Sequence, residues 1–320
     1  MVRRRFFSAI LLALGLLSPA MPALADDYPS RPITLIVPYP AGGGADAVGR
    51  LIAQKLSGAL GQQVIVENRP GAGSVIGTRA AAKAAPDGYT IAMVLTGISL
   101  PANLGFDIKQ DFAPIGLIAA SPIVLMAHPS FPGASLADVI ALAKREPGKL
   151  SAGTPPQPTL NYFAAELFKA MTGVDITIVT YRGTGPLTND LVGGHVTLAF
   201  NTITAALGNI QAGKIRPIAV AAPKRSAALP DVPTAAEAGL AGFEAVIYYG
   251  LSAPAGTPRP IIERLNKELR AIVTSEETSQ RLIADGADPA PSTPEEYAAN
   301  IEREEGKWAA LLKKLGLVIN

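Results

Sequence analysis

The feature that most restricts the fold is a regular alternation of short β-branched runs with amphipathic helical stretches, repeated along nearly the whole chain. "ITLIV" (Ile33 to Val37) lies between Pro32 and Pro38 and predicts a strand. From Asp46 onward Val48, Leu51, Ile52, Leu56 and Leu60 recur at helical spacing, and Gly61 ends the run. "VIV" (Val64 to Val66) predicts the next strand. Strand, helix and strand within about 35 residues form a βαβ unit. Its strands must be parallel, because the helix carries the chain back to the starting edge of the sheet.

The rhythm continues. Strands are predicted at Thr90 to Val94, Ile123 to Ala127, Ile176 to Thr180, Val196 to Phe200 and Pro217 to Ala222. Ser135 and Asp138 form a capping pair that opens a helix running through Ala143. Leu160, Phe163, Ala164, Leu167, Phe168 and Met171 make an apolar helical stripe ended at Gly173, which reads as core. Val246 to Leu251 predicts a late strand, followed by a helix on Ile261, Ile262, Leu265, Leu269 and Ile272. The last helix is fully punctuated, with Thr293 as N-cap, Pro294 at the first helical position, Glu296 completing a capping box and Gly316 beyond the end.

The N-terminus predicts export. Arg3, Arg4 and Arg5 precede an apolar run from Phe6 to Leu17, and Ala23-Leu24-Ala25 forms an A-x-A cleavage signal. A signal peptide over residues 1–25 is expected, with a mature chain beginning at Asp26 in the periplasm. The apolar run is about a dozen residues, too short for a bilayer core that needs roughly 20. The arginines with Phe6-Phe7 loosely resemble a twin-arginine signal, although the general secretory route is the simpler reading.

Of the 28 basic side chains, three leave with that segment, so 25 face 26 acidic ones. No basic surface for nucleic acid or membrane is implied. The absence of Cys excludes disulfides, thiolate metal ligands and Cys nucleophiles. With His128 and His195 the only histidines, neither a metal centre nor a cofactor is expected. A mature chain of about 295 residues exceeds one typical core, so two lobes are expected.

In open α/β sheets ligands bind beyond the carboxyl ends of strands. After the first strand come Tyr39, Pro40, Ala41 and then Gly42-Gly43-Gly44, leading straight into a helix. Such a loop can aim backbone N–H groups and a helix dipole at an anion. A flexible turn capped by Asp46 explains it equally well. Other strand ends bring Thr96-Gly97, Gly153-Thr154 with Thr159 and Asn161, Gly183-Thr184-Gly185, and Asn201-Thr202. Arg182 is the only basic side chain among these loops. Neutral donors of this kind suit a carboxylate held directly or through water.

Enzyme signatures fail one by one. The first loop lacks the G-K-[ST] ending of a P-loop. At Gly71-Ala72-Gly73 the position needed for a third glycine is Ile76, and the glycine comes at Gly77. There is no G-x-S-x-G elbow, H-E-x-x-H or EF-hand pattern. The pairs Glu276/Glu277, Glu295/Glu296 and Glu304/Glu305 read as solvated helix faces.

Long ordered segments carry a family resemblance. "YPSRPITLIVPYPAGGGADAVGRLIAQKL", "LGQQVIVENRPGAGSVIGTRAAAKAAPDGYT", "DFAPIGLIAASPIVL", "YRGTGPLTNDLVGGHV", "AGKIRPIAVAAPKRSAALPDVPTAAEAG" and "YYGLSAPAGTP" resemble the substrate-binding proteins of tripartite tricarboxylate transporters, the Bug family. The resemblance spans essentially all of the mature chain. It implies an α/β, two-lobe periplasmic binding protein of type II architecture, a Venus flytrap with a mostly parallel sheet in each lobe. Lobe 1 would comprise residues 26–122 with 246–320, and lobe 2 residues 123–245.

The family carries carboxylates in the interlobe cleft, with waters bridging to the first loop. By resemblance the ligand contacts would be Tyr39, Ala41, Gly42 and Gly43, then Thr96 and Gly97. Across the cleft would stand Thr154, Thr159, Asn161, Asn201 and Thr202, with Tyr248 as a wall. The implied protein is a monomer that binds no nucleic acid and hands its ligand to the permease subunits of the transporter. A sensor kinase reading the closed form, or an exported hydrolase acting on a carboxylate ester, are the alternatives. Three departures touch the ligand region: Pro155, Pro156 and Pro158 replace a Gly/Ser-rich loop, Asn201 stands where Asp is common, and the segment from Gly97 to Phe106 is short.

Overall fold

The computed structural model describes residues 28–96, 105–157 and 159–316. The expected signal peptide, residues 1–25, lies outside the described residues, as do Gly97 and Pro158. The described elements begin with β1 (Ile33–Val37), α1 (Gly44–Leu60), β2 (Val64–Asn68), α2 (Val75–Ala82) and β3 (Thr90–Thr96). Then come α3 (Ile108–Asp111), β4 (Phe112–Ala127), α4 (Leu136–Arg145), β5 (Ser151–Thr154), α5 (Leu160–Thr172), β6 (Thr177–Thr180), α6 (Thr184–Val192), β7 (Leu198–Thr202), α7 (Ile203–Gln211) and β8 (Arg216–Val220). The chain closes with β9 (Val246–Pro254), α8 (Arg259–Thr274), α9 (Glu276–Ala284), β10 (Asp288–Pro289) and α10 (Pro294–Leu315).

Two sheets share β4. In the first, β1 lies parallel to β2 and β3, as its βαβ sequence demands, and β9 runs antiparallel between β3 and β4. In the second, β5 is parallel to β6 and β7, while β7 and β8 run antiparallel to β4. Each sheet is therefore mixed. The parallel ladders come from the βα units, and the antiparallel ones from the long strands that cross between the lobes.

β4 is far longer than the Ile123–Ala127 strand expected from its β-branched run. Its first part, Phe112 to Pro122, pairs with β9, and Ile123 onward pairs with β7 and β8. The partners change at Pro122, which has no N–H to donate, while the next N–H, of Ile123, bonds Ala245 O at 2.8 Å. A second proline, Pro114, lies where the register shifts against β9. Both prolines disguise the strand in sequence.

The helix ends follow their local signals. Gly61, with φ of 70°, closes α1, and capping boxes open α4 at Ser135 and α10 at Thr293. The last helices return to the first sheet. Asn266 on α8 donates to Ile115 O and Ser292 O, and Tyr297 on α10 donates to Val94 O at 2.9 Å. The fully buried Tyr297 ring fills the space left by Gly250, where any side chain would displace it. Among the described residues no helix is long and apolar enough to cross a membrane.

Candidate functional site

A cavity of about 480 Å³ lies where the carboxyl ends of the parallel strands from both sheets face each other. A volume of this size suits a small organic molecule. Five helices begin at its wall. Their N-cap residues, Gly43 of α1, Ser74 of α2, Thr159 of α5, Gly183 of α6 and Thr202 of α7, all line it. Thr159 caps its own helix through Tyr162 N, and the other four helices have no side-chain cap bond. In α2 the N–H groups of Val75 and Ile76 bond Ala72 O and Gly71 O, whereas α1, α6 and α7 present first-turn N–H groups without side-chain caps, and each helix start carries roughly half a positive charge.

The first loop is held from behind. Asp46 is buried, and its carboxylate accepts from Gly42 N at 2.9 Å, Arg50 Nε at 3.0 Å and Asn68 Nδ2 at 2.9 Å. Burial opposes its ionisation, but the bonds from Arg50, Gly42 and Asn68 outweigh that and hold the carboxyl below its ordinary value. Asn68 also donates to Tyr39 O at 3.1 Å. Asp46 thus shapes the loop without lining the cavity.

A second loop completes that wall. Gly71, Ala72, Gly73 and Ser74 all have positive φ, at 136°, 46°, 63° and 94°. Ala72 and Ser74 bear side chains in a conformation that costs of order 1–3 kcal/mol each, which the surrounding structure must offset. Ser74 hydrogen-bonds the Tyr39 hydroxyl, joining the two loops. Burial pushes that hydroxyl up to about 12, against the lowering effect of the Ser74 bond, so it is a neutral group at any ordinary pH.

The opposite wall is a chain of hydroxyls. Tyr249 Oη lies 3.1 Å from Thr204 Oγ1, which donates to Thr202 Oγ1 at 3.0 Å. Burial raises the Tyr249 hydroxyl above its ordinary value. Asn161 lines the same side, with its amide bonded to Phe200 O at 3.1 Å. The two halves touch around the cavity. A Cβ at Gly43 would lie 2.9 Å from Thr184 Oγ1, and one at Gly183 would lie 3.0 Å from Pro40 Cγ. Gly44 packs so closely on Thr204 that a Cβ would overlap its hydroxyl.

Of the expected contacts, Tyr39, Gly43, Thr159, Asn161 and Thr202 come together in the lining. Ala41 and Gly42 do not, because they form the exposed outer turn of the loop and Gly42 N–H is spent on Asp46. Thr154 is fully buried within β5, its hydroxyl unpartnered. Asn201 is fully buried too, and its amide is used internally by Thr188 Oγ1 and Thr202 N. Thr96 lies in β3 paired with Tyr248, and Gly97 is outside the described residues. Tyr248 points to the other face of β9, against Arg303 and Glu304 of α10. Its neighbour Tyr249 takes the wall position instead, as strand alternation requires. The Pro70–Ser74 loop, which fails as a dinucleotide fingerprint, was not expected in the site, although it follows β2 and β2 ends at the same sheet edge as β1.

Arg182 is the one charged side chain among the described lining residues, and no Asp, Glu or His joins it. His128 and His195 lie apart from the cavity, beside Gly193 and Gly194, with His128 Nδ1 2.7 Å from Ser130 Oγ. No group of three metal-ligating side chains occurs among the described residues. The arrangement can hold an anion with neutral donors, and the lining supplies no nucleophile–base pair.

Residues 48–317 match the model of the tripartite tricarboxylate transporter family receptor, TctC. The chain belongs to this family. It is 35% identical over 318 residues to the protein BugT of Bordetella pertussis, covering 98% of both chains. An R. palustris protein solved with adipate superposes with a TM-score of 0.88 at 36% identity, over 91% of this chain and 99% of that one. MatC from Rhodopseudomonas palustris, solved with bound malate, gives 0.84 at 32% identity, over 89% and 100%. The TctC fold explains the mixed sheets and the cavity between them. Like other TctC members, this is a periplasmic solute-binding protein rather than a member of an enzyme family.

Proposed function

We propose that this protein captures a small dicarboxylate between two lobes and delivers it to the permease subunits of a tripartite tricarboxylate transporter. The observation that carries the reading is the convergence of five helix N-termini, four without side-chain caps, on one cavity whose described lining has no acidic side chain. That field attracts an anion, and neutral hydroxyls and N–H groups satisfy a carboxylate without clamping it as phosphate sites do. The adipate and malate held by two TctC relatives fit the same chemistry. Lobe 1 would be residues 26–122 with 246–320, and lobe 2 residues 123–245. Export would end with cleavage after Ala25.

Tyr39, Gly43, Thr159, Asn161 and Thr202 would contact the ligand, with Ser74, Thr184 and Tyr249 added by their place in the lining. Thermal unfolding of the exported protein with mono-, di- and tricarboxylates tests the reading. Ligand at a hundredfold excess over Kd adds about 2.7 kcal/mol to native stability, which raises Tm by several degrees. A panel in which no carboxylate shifts Tm would refute it.

A further inference from the structure

We infer that Arg182 selects for a second carboxylate: it pairs with the distal acid group of a ligand whose first carboxylate sits among the helix starts. The inference rests on the carboxylate-binding function proposed above. Arg182 is the only charged side chain in the described lining. The segment 97–104, which follows β3, contains no charged residue either. Arg182 is exposed and forms no ion pair or hydrogen bond among the described residues. The next acid along the chain, Asp190 on α6, is engaged by the Tyr181 hydroxyl. An arginine without a partner at the edge of an anion site is a guanidinium in want of a carboxylate.

Its position is suited to that role. Arg182 directly precedes Gly183, which packs on Pro40 where the two halves of the cleft meet. The rest of the lining offers little to a second anion. Six of its residues are prolines, which have no N–H, and Leu95 and Ile247 are apolar. A second carboxylate set against this proline and apolar part of the wall without Arg182 would lose water and find few donors there, a costly burial. Neutral donors at the helix starts would therefore bind the acid group that mono- and dicarboxylates share, and Arg182 would distinguish the two.

The test is a comparison of ligand pairs that differ by one carboxylate, adipate with hexanoate and succinate with butanoate. Dissociation constants are measured calorimetrically for the wild type, Arg182→Gln and Arg182→Lys. Arg182→Gln is expected to weaken the better-bound dicarboxylate about tenfold or more and to leave its monoacid within about twofold. Arg182→Lys should fall between, since it keeps the charge but not the planar fork. An unchanged Tm of ligand-free Arg182→Gln shows that the fold is intact. Equal weakening of both members of a pair, no weakening of the dicarboxylate, or wild-type binding that ignores the second carboxylate would each overturn the inference and leave carboxylate capture standing. Wild-type protein that binds none of the four acids would overturn both.

Discussion

Gly44 offers the sharpest test of how the cleft works. It opens α1 at the point where that helix meets the other half of the molecule. An added methyl would overlap Thr204 Oγ1, lie 2.9 Å from Thr204 Cβ and come 3.2 Å from Tyr249 Oη. Nothing in the helix itself resists alanine, which is the better helix former by up to about 1 kcal/mol. The cost of Gly44→Ala therefore falls on its contact with Thr204 and Tyr249 across the cavity. Overpacking of this kind costs about 1–3 kcal/mol, which predicts a Kd for carboxylate raised roughly 5- to 150-fold. Calorimetric titration reads the affinity, and small-angle scattering with and without ligand reads the contraction on closing. Gly58→Ala is the control. That residue lies in the same helix with nothing within 4 Å, so its Kd should not move. In the double variant Thr204→Ala should restore part of the affinity, by removing the hydroxyl that the methyl meets. Binding by Gly44→Ala within twofold of wild type would show that the Gly44–Thr204 approach plays no part in capture.

Asp46→Asn should lower stability at pH 7 by roughly 1–3 kcal/mol, since it weakens charge-assisted bonds to the first loop. Because the folded carboxyl titrates below its unfolded value near 4, its contribution is present above that pH and is lost as pH falls through the folded value. Denaturant unfolding at several pH values should show wild type and variant converging in acid. Tyr39 behaves in the opposite sense. Its hydroxyl, raised to about 12, contributes stability that is fully present below about pH 10 and is lost between there and 12. Tyr39→Phe should remove that alkaline loss at a cost of roughly 0.5–1.5 kcal/mol near neutrality, as followed by circular dichroism. Asn201→Ala leaves Thr202 N without its acceptor inside the second sheet and should cost about 1–3 kcal/mol, read as a lowered Tm.

Much of this molecule is legible in its sequence because its cues are local. The α10 helix is bounded by Thr293, Pro294, Glu296 and Gly316, each acting within a turn of its own position. The βαβ rhythm likewise dictates parallel ladders at β1, β2 and β3. What stayed hidden depends on contacts distant in the chain. β4 is long because β9 returns to pair with it, and Pro114 and Pro122 mask that from any local reading. Tyr248 and Tyr249 are equivalent in composition, and the pleat alone decides between them. Ile247 lines the cavity, so Tyr249, two residues on, shares its face. Ala72 and Ser74 adopt positive φ without being glycine, which no propensity signals. Asn201 sits beside the cavity-lining Thr202 in sequence, yet its amide is consumed by Thr188 and Thr202.

The prolines of the lining and the helix starts form one design. Pro38, Pro40, Pro70, Pro155, Pro156 and Pro186 remove N–H donors from much of the cavity wall, so acceptors on a ligand find partners chiefly where helices begin. Those donors are set by helix geometry, which leaves little freedom to lose on binding. The prolines restrict φ in the intervening loops as well, so less conformational entropy is lost when a ligand orders them. Pro155 and Pro156 extend this restraint to the loop ahead of α5, whose N-cap Thr159 lines the cavity. A wall that cannot rearrange its donors accepts carboxylates of one spacing better than others. If this cavity captures carboxylates as proposed, discrimination between them would follow from where donors are missing as much as from where they stand.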